Sequence, residues 1–384
     1  MDGIQYDWTN NFETNIKIMR LMGLWPSGAH SYKVGFYMVY LGCLVTTFVV
    51  CIISLQIIEL YFVSDDLESF VGILYTLPLA LMALFKVYYV VTNMAVFKSC
   101  IETLKCSWFQ PRNLKQRCLI ESSIKFWKSV YNVIFIMGIA CNTFWIIYPI
   151  LDGSPGEKRL PFLAWFPYDY KISPLYELTF VFEILTTNYV TLIHVNTDFI
   201  IFGLNVCAGC QFDMLSDNLR NFSNSSCNAT KDLVNCIIYH KQISSYVKNC
   251  SRFLKWIIVW HLILSGATIG ITMFRLTLMV PFSNEFYSNL SYGFGIFFQI
   301  FLYCWFGNDV EAKSNLVSQA AFESDWTDLP KNVKKDLSFF IMNTEKPVQI
   351  SAFNVFHLSL DTFVKIIKTA WSYFALLNQL SVQN

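Results

Sequence analysis

Apolar residues along this chain run on in blocks long enough to cross a lipid bilayer, instead of recurring at the spacing of a water-facing helix or strand. Spanning a hydrocarbon core of ~30 Å takes about 20 helical residues. Seven stretches reach or approach that length: Val34–Ile58, Phe70–Val91, Ser129–Ile150, Pro174–Val206, Phe253–Val280, Leu290–Phe306 and Ala352–Leu377. The first carries no charge between Lys33 and Glu59; the sixth is short and Gly-rich, and the seventh holds three charges. The pattern predicts an all-α, polytopic membrane protein with seven transmembrane helices. Ahead of them, Phe12 to Leu24 reads as a short amphipathic piece near the membrane surface, broken by Pro26. Acidic and basic residues mix in the first thirty positions, and the apolar run that follows is too long for the h-region of a signal peptide.

Composition agrees. Of 384 residues, 54% are hydrophobic and 14% charged, against roughly a quarter charged in a soluble domain. Disorder and coiled coil need more charge and less apolar surface. A formal net charge of +1 gives no electrostatic case for a nucleic-acid partner.

Charge also orients the spans, because Lys and Arg concentrate in cytoplasmic loops. Twenty Lys and Arg fall in the N-terminal segment and the loops after spans two, four and six; three fall on the other side, and five lie within the spans. The N-terminus is therefore expected in the cytoplasm and the C-terminus outside, the reverse of a G-protein-coupled receptor. Cys100, Cys106, Cys118, Cys227, Cys236 and Cys250 all lie in the Lys-rich loops, the side where free thiols are expected. Three sequons at Asn221, Asn224 and Asn228 point the other way, since glycosylation would need that loop in the lumen. Short sequons arise readily in a Ser/Asn-rich linker, and the charge count prevails.

The inner segments after spans four and six each exceed forty residues. Phe322, Trp326, Leu329, Leu337, Phe339 and Phe340 are too apolar for an idle linker, so the two segments are expected to pack into a cytoplasmic domain. On the last span, Asp361, Lys365, Lys368, Ser372, Leu376 and Gln379 follow at steps of three and four and share one helix face. Such a face cannot meet lipid, where each charge costs about 2.5–3.5 kcal/mol. Two readings stay open. The helix lines a pore, with Leu376 as an apolar ring that closes by dewetting, or it packs inside one bundle with Asp361 and Lys365 as an i,i+4 pair.

The outward halves of spans two, three, four and six hold residues suited to a small apolar ligand: Tyr75; Gly138, Cys141, Asn142, Trp145 and Tyr148; Phe180, Glu183, Ile184 and Asn188; Tyr292 and Gln299. Gly138 and Cys141 leave room, while Trp145 and Tyr148 offer aromatic walls with a polar handle. Catalysis finds little support. His30, His194, His240, His261 and His357 make no metal-ligand spacing, and Cys207-Ala-Gly-Cys210 lacks the context of a redox motif. No phosphate or dinucleotide fingerprint occurs, so neither an enzyme nor a cofactor is expected. His194, Asp198 and Arg275 within the spans suit an ion pathway or pairing across helices.

The stretch Cys304-Trp-Phe-Gly-Asn-Asp309, then Ala320-Ala-Phe-Glu-Ser-Asp-Trp326 with Leu329-Pro330, is one distinctive element of the C-terminal third. Ser359-Leu-Asp-Thr-Phe363, Ile366-Ile-Lys-Thr369 and Ser372-Tyr-Phe374 form another. With these motifs the whole chain resembles an insect odorant receptor, an odorant-tuned subunit rather than the shared co-receptor, whose longer cytoplasmic insertion it lacks. Phe322, Thr327 and Trp371 depart from the common pattern. The resemblance implies a ligand-gated, non-selective cation channel, heterotetrameric with the co-receptor and opened directly by a small organic molecule at the plasma membrane of olfactory sensory neurons. By motif position the pore and gate fall on Ser372, Leu376 and Gln379. The assembly anchor falls on the region around Trp305, Phe322, Trp326, Leu337 and Phe340, and the odorant pocket among spans two, three, four and six. A gustatory-type channel of the same architecture is the nearest alternative. The expected layout is a cytoplasmic segment 1–33, spans one to four with the pocket over 34–206, and a cytoplasmic helical loop 207–252. Spans five and six follow over 253–306, then the anchor segment 307–351, the pore-lining span 352–378 and an extracellular tail 379–384.

Overall fold

In lipid, backbone polar groups can be satisfied only within helices or closed barrels, and apolar blocks of this length fold accordingly. A computed structural model describes residues 6–26, 35–151, 158–221, 229–353 and 356–383, leaving aside the side chains at 68, 148–151 and 380–383. A 3₁₀ turn (Trp8–Phe12) leads into α1 (Glu13–Leu21). Next comes one rod made of α2 (Phe36–Val45), a π-helical turn (Thr46–Val50) and α3 (Cys51–Phe62). The chain continues through α4 (Leu67–Thr92), α5 (Met94–Thr103), α6 (Leu114–Leu151), α7 (Leu175–Arg220), α8 (Ala229–Leu278) and α9 (Asn284–Phe322). It closes with α10 (Lys331–Thr344), a two-residue antiparallel ladder of β1 (Ser351–Ala352) with β2 (Phe356–His357), and α11 (Leu360–Gln383).

Six rods are long and apolar enough to cross a membrane: α2–α3, α4, α6, α7, α8 and α9. Among the described residues α11 is not one of them, because its polar stripe dilutes its apolar face. It also begins at Leu360; the expected start at Ala352 falls instead on the small ladder. That ladder is held close to α9, where a Cβ added to Gly307 would fall 2.2 Å from the Cβ of Leu358.

The helices outrun the expected spans. At 1.5 Å per residue, the 46 residues of α7 and the 50 of α8 reach about 69 and 75 Å, more than twice the ~30 Å core. The boundaries expected at 206/207, 252/253 and 306/307 therefore fall inside unbroken helices. The ends of these helices pack together. Arg220 meets Glu323 at 2.8 Å, and Lys313 sits between Asp213 at 3.0 Å and Asp309 at 3.2 Å. α10 buries Val333, Leu337 and Phe340 against α8 and α9, and the Phe340 ring lies edge-on to His240 at 5.7 Å.

α7 is the central post, packed against α6 and α9 with its stretch from Asn196 to Phe212 buried throughout. The N-terminal piece docks against it. Trp8 and Phe12 are fully buried, Trp8 donates to the Phe109 carbonyl at 3.2 Å, and Tyr189 donates to the Met22 carbonyl at 3.1 Å. Gly203 makes room for this, since a Cβ there would lie 2.4 Å from the Phe12 ring and 2.9 Å from that of Trp127.

Candidate functional site

A cavity of about 210 Å³ opens between α3, α4, α6, α7 and α9, below the ~300–1,000 Å³ of drug-sized sites. Its outer end is aromatic. Trp145 on α6 stacks on Phe162 with centroids 5.0 Å apart and planes 9° apart. Tyr75 on α4 packs on Trp145 at 5.6 Å and edge-on to Tyr292 of α9 at 5.0 Å. Rings meeting at these distances each gain about 0.5–1.5 kcal/mol beyond the area they bury. Phe162 belongs to the loop before α7, which is pinned by two backbone donors, Phe162 N to Glu183 Oε2 at 3.1 Å and Trp165 N to the Leu55 carbonyl at 3.3 Å.

The inner end is polar and closed. Lys86 on α4 pairs with Asp198 on α7 at 2.5 Å and lies 3.0 Å from His194 Nδ1, while His194 Nε2 is 3.1 Å from the Leu79 carbonyl. Gln299 and Tyr303 on α9 donate to the same carboxylate. A buried ion pair costs several kcal/mol of desolvation per ion unless its other lone pairs are filled. Here the Asp198 carboxylate takes three donors, so the cluster ties α4, α7 and α9 together beneath the cavity. This is pairing across helices, the duller of the two readings open for His194 and Asp198. Arg275 lies elsewhere, 4.2 Å above the Tyr75 ring and 3.0 Å from Glu285.

Of the residues expected at the pocket, Gly138, Cys141, Asn142, Trp145, Tyr292 and Gln299 line it. Tyr75 is buried behind Trp145 and Tyr292 and forms a second layer. The Tyr148 side chain lies outside the described residues. Phe180, Ile184 and Asn188 do not line the cavity; α7 presents Thr186, Thr187, Val190, Thr191, His194 and Val195 instead. The reason is rotational, because each step along a helix turns the face by about 100° and the lining row through Thr187, Thr191 and Val195 runs one residue before the expected row through Ile184 and Asn188. Asn188 still touches the wall from behind, accepting from Asn142 at 3.4 Å. Glu183 is buried under the Phe162 loop and does not line the cavity. The expectation also missed Ile52 and Gln56 on the first rod and Phe162 in the loop. Nothing in periodicity brings a first span to a pocket, and a loop aromatic carries no period.

The second feature is the stripe of α11. Asp361, Lys365, Lys368, Ser372, Leu376 and Gln379 are all exposed on this chain, which overturns packing of that face within one bundle. The Asp361–Lys365 pair forms at 2.6 Å, and Leu376 is 55% exposed. The opposite face of α11 is held tightly. Phe363 packs edge-on to Phe297 and Phe301 of α9 at 5.1 and 5.6 Å. Gly266 and Gly270 of α8 bring that helix against Ile366 and the Ala370 carbonyl, the close approach small residues four apart allow in membranes. Among the proposed anchor residues, Leu337 and Phe340 are buried within the chain, Trp305 and Phe322 are exposed, and Trp326 is half-buried beside Phe322.

Residues 66–371 match the family described as 7tm Odorant receptor. The chain belongs to the odorant receptor family. Relatives are distant. Odorant receptor Or1 of Anopheles gambiae is 22% identical over 98% of this chain and 96% of its own length, and odorant receptor 94a of Drosophila melanogaster is 23% identical over 95% and 96%. Odorant receptor 10 of Aedes albopictus is 26% identical over 63% of this chain, an alignment that spans 65% of that relative. The fold matches the insect olfactory receptor OR5 from Machilis hrabei, solved in complex with eugenol, with a TM-score of 0.84, 17% identity, and 98% and 100% of the two chains covered. This odorant receptor is a multi-pass, all-α membrane protein, and its membership makes it a receptor and not an enzyme.

Proposed function

We propose that this odorant receptor is the ligand-binding subunit of a heteromeric, non-selective cation channel opened directly by a small organic molecule. The observation that carries the reading is the placement of α9. Tyr292, Ile296 and Gln299 face the cavity, while Phe297 and Phe301 on the other side grip Phe363 of α11. A ligand that fills the cavity in one arrangement of α9 better than in another shifts the population of α11 positions by its difference in affinity. A face of six exposed residues that includes two Lys and one Asp has no solution in lipid. In the channel it borders an aqueous route formed with partner subunits, Leu376 closing that route. Exposed Trp305 and Phe322 meet partners in the domain beyond the bilayer. The co-receptor is the expected partner, and the N-terminus and that domain lie in the cytoplasm, as the charge count requires, in the plasma membrane of olfactory neurons. The family match favours this over a gustatory-type channel.

Current recording from cells expressing this chain, with and without the co-receptor, under a panel of volatile organics tests the reading. Ligand-evoked cation current should require both chains and persist when G-protein signalling is blocked. Trp145→Ala removes ring contacts to Tyr75, Phe162 and Tyr292 and should shift half-maximal concentrations by about tenfold, unequally among agonists. A response carried wholly by G-protein signalling, or an agonist order untouched by Trp145→Ala, would overturn it.

A further inference from the structure

The polar atoms of the cavity wall are nearly all paired. Asn142 donates to Thr191 at 3.0 Å and Thr191 donates back to Asn142 Oδ1 at 3.3 Å. Thr187 donates to the Glu183 carbonyl, Ser291 to the Ser288 carbonyl, and Tyr292 to the Tyr75 carbonyl. The inner cluster fills every oxygen of Asp198. Among the described residues lining the cavity, two buried side-chain oxygens stand apart. Gln56 Oε1 and Thr186 Oγ1 have no hydrogen-bond partner, and the two residues are 2% and 5% exposed.

The orientation of the Gln56 amide follows from its neighbour. Thr76 commits its hydroxyl proton to the Ile73 carbonyl at 3.2 Å, which leaves a lone pair to accept from Gln56 Nε2 at 3.0 Å. The carboxamide is thus fixed with its nitrogen occupied and its oxygen left over, an acceptor in need of a donor. Thr186 is the complement. Its hydroxyl lies unpaired on α7, although Thr179 and Thr187 on the same helix each donate to the carbonyl four residues back. A buried polar group left without a partner is costly, and native interiors leave few.

We propose that the cavity is built for a small amphiphile bearing a hydroxyl group, an aliphatic alcohol or a phenol, an inference that rests on the cavity being the ligand site. A hydroxyl supplies a proton for Gln56 Oε1 and lone pairs for Thr186. An ether, ester or ketone supplies only acceptors, and a hydrocarbon neither. The aromatic end formed by Trp145 and Phe162 takes the apolar body. Discrimination arises because a ligand lacking the proton buries the Gln56 oxygen unpaired, whereas mere loss of apolar area would penalise both kinds of molecule alike.

The test records currents from the full chain with its co-receptor, using alcohols and phenols each paired with an ether of equal heavy-atom count, such as 1-octanol with heptyl methyl ether. The hydroxyl member of each pair should be at least about tenfold more potent, and Gln56→Leu should bring the two to within about twofold. Equal potency of the pair in the unaltered receptor overturns the inference, since water would then satisfy Gln56. So does a panel whose agonists contain no hydroxyl compound. Trp145→Ala separates this failure from failure of the cavity reading: it should weaken both members together, and if it moves neither, the cavity is not the ligand site.

Discussion

The cavity and the stripe of α11 are both polar features in an apolar protein, and they are completed in opposite ways. Beneath the cavity, Lys86, Asp198, Gln299 and Tyr303 come from three helices of one chain and satisfy one another, with Lys86, Asp198 and Tyr303 buried. On α11, Asp361 pairs with Lys365 one turn along the same helix, and the stripe from Asp361 to Gln379 faces outward. One feature is finished within the subunit. The other needs water or a neighbour, so under the proposed function ligand recognition would belong to this chain and conduction to an assembly.

The sharpest break in that contrast comes from charge removal. Lys86→Met strands a buried carboxylate and should cost about 3–5 kcal/mol, seen as lost surface expression or a lowered melting temperature in detergent. Lys365→Met removes an exposed pair member and should change melting little, within about 1 kcal/mol. Comparable losses in both would erase the distinction. Next in size, Leu376→Ser should raise leak current several-fold while agonist order stays fixed; basal and evoked currents unchanged in assembled channels would remove Leu376 from the gate. Gly270→Ala places a methyl 3.1 Å from the Ala370 carbonyl and the Tyr373 Cβ. It should shift the resting open fraction about two- to fivefold with the pocket intact, measured as the ratio of basal to saturating current. The smallest effect is expected at Phe180→Ala, which lies off the cavity face and should move agonist potency less than about twofold, against a clear shift for Thr191→Leu. The reverse order would restore the expected α7 register.

Much of the site was legible because membrane constraints are severe. Gly138, Cys141, Asn142 and Trp145 share a face of α6 that a small-residue and aromatic pattern reveals, and all four line the cavity. The stripe from Asp361 to Gln379 was legible for a similar reason, since charge at helical spacing cannot meet lipid. The α7 face was misjudged by one residue because that helix is buried on nearly every side, so no polar side marks its rotation. The lengths of α7, α8 and α9 were underestimated because hydropathy ends at the membrane surface while hydrogen bonding along a helix does not.

The sequence by itself determined the class of molecule, an all-α chain of many membrane crossings, and the sidedness its Lys and Arg imply. It also marked a last helix with one face unfit for lipid. Those follow from one-dimensional quantities: the length of apolar runs, the count of charges, and spacing along a helix. Only the tertiary structure decided that Lys86 meets Asp198 across 112 positions, that Phe162 caps Trp145, and that the Gln56 oxygen is left without a donor. Each depends on how separate helices rotate against one another, and a chain read in one dimension carries no record of that rotation.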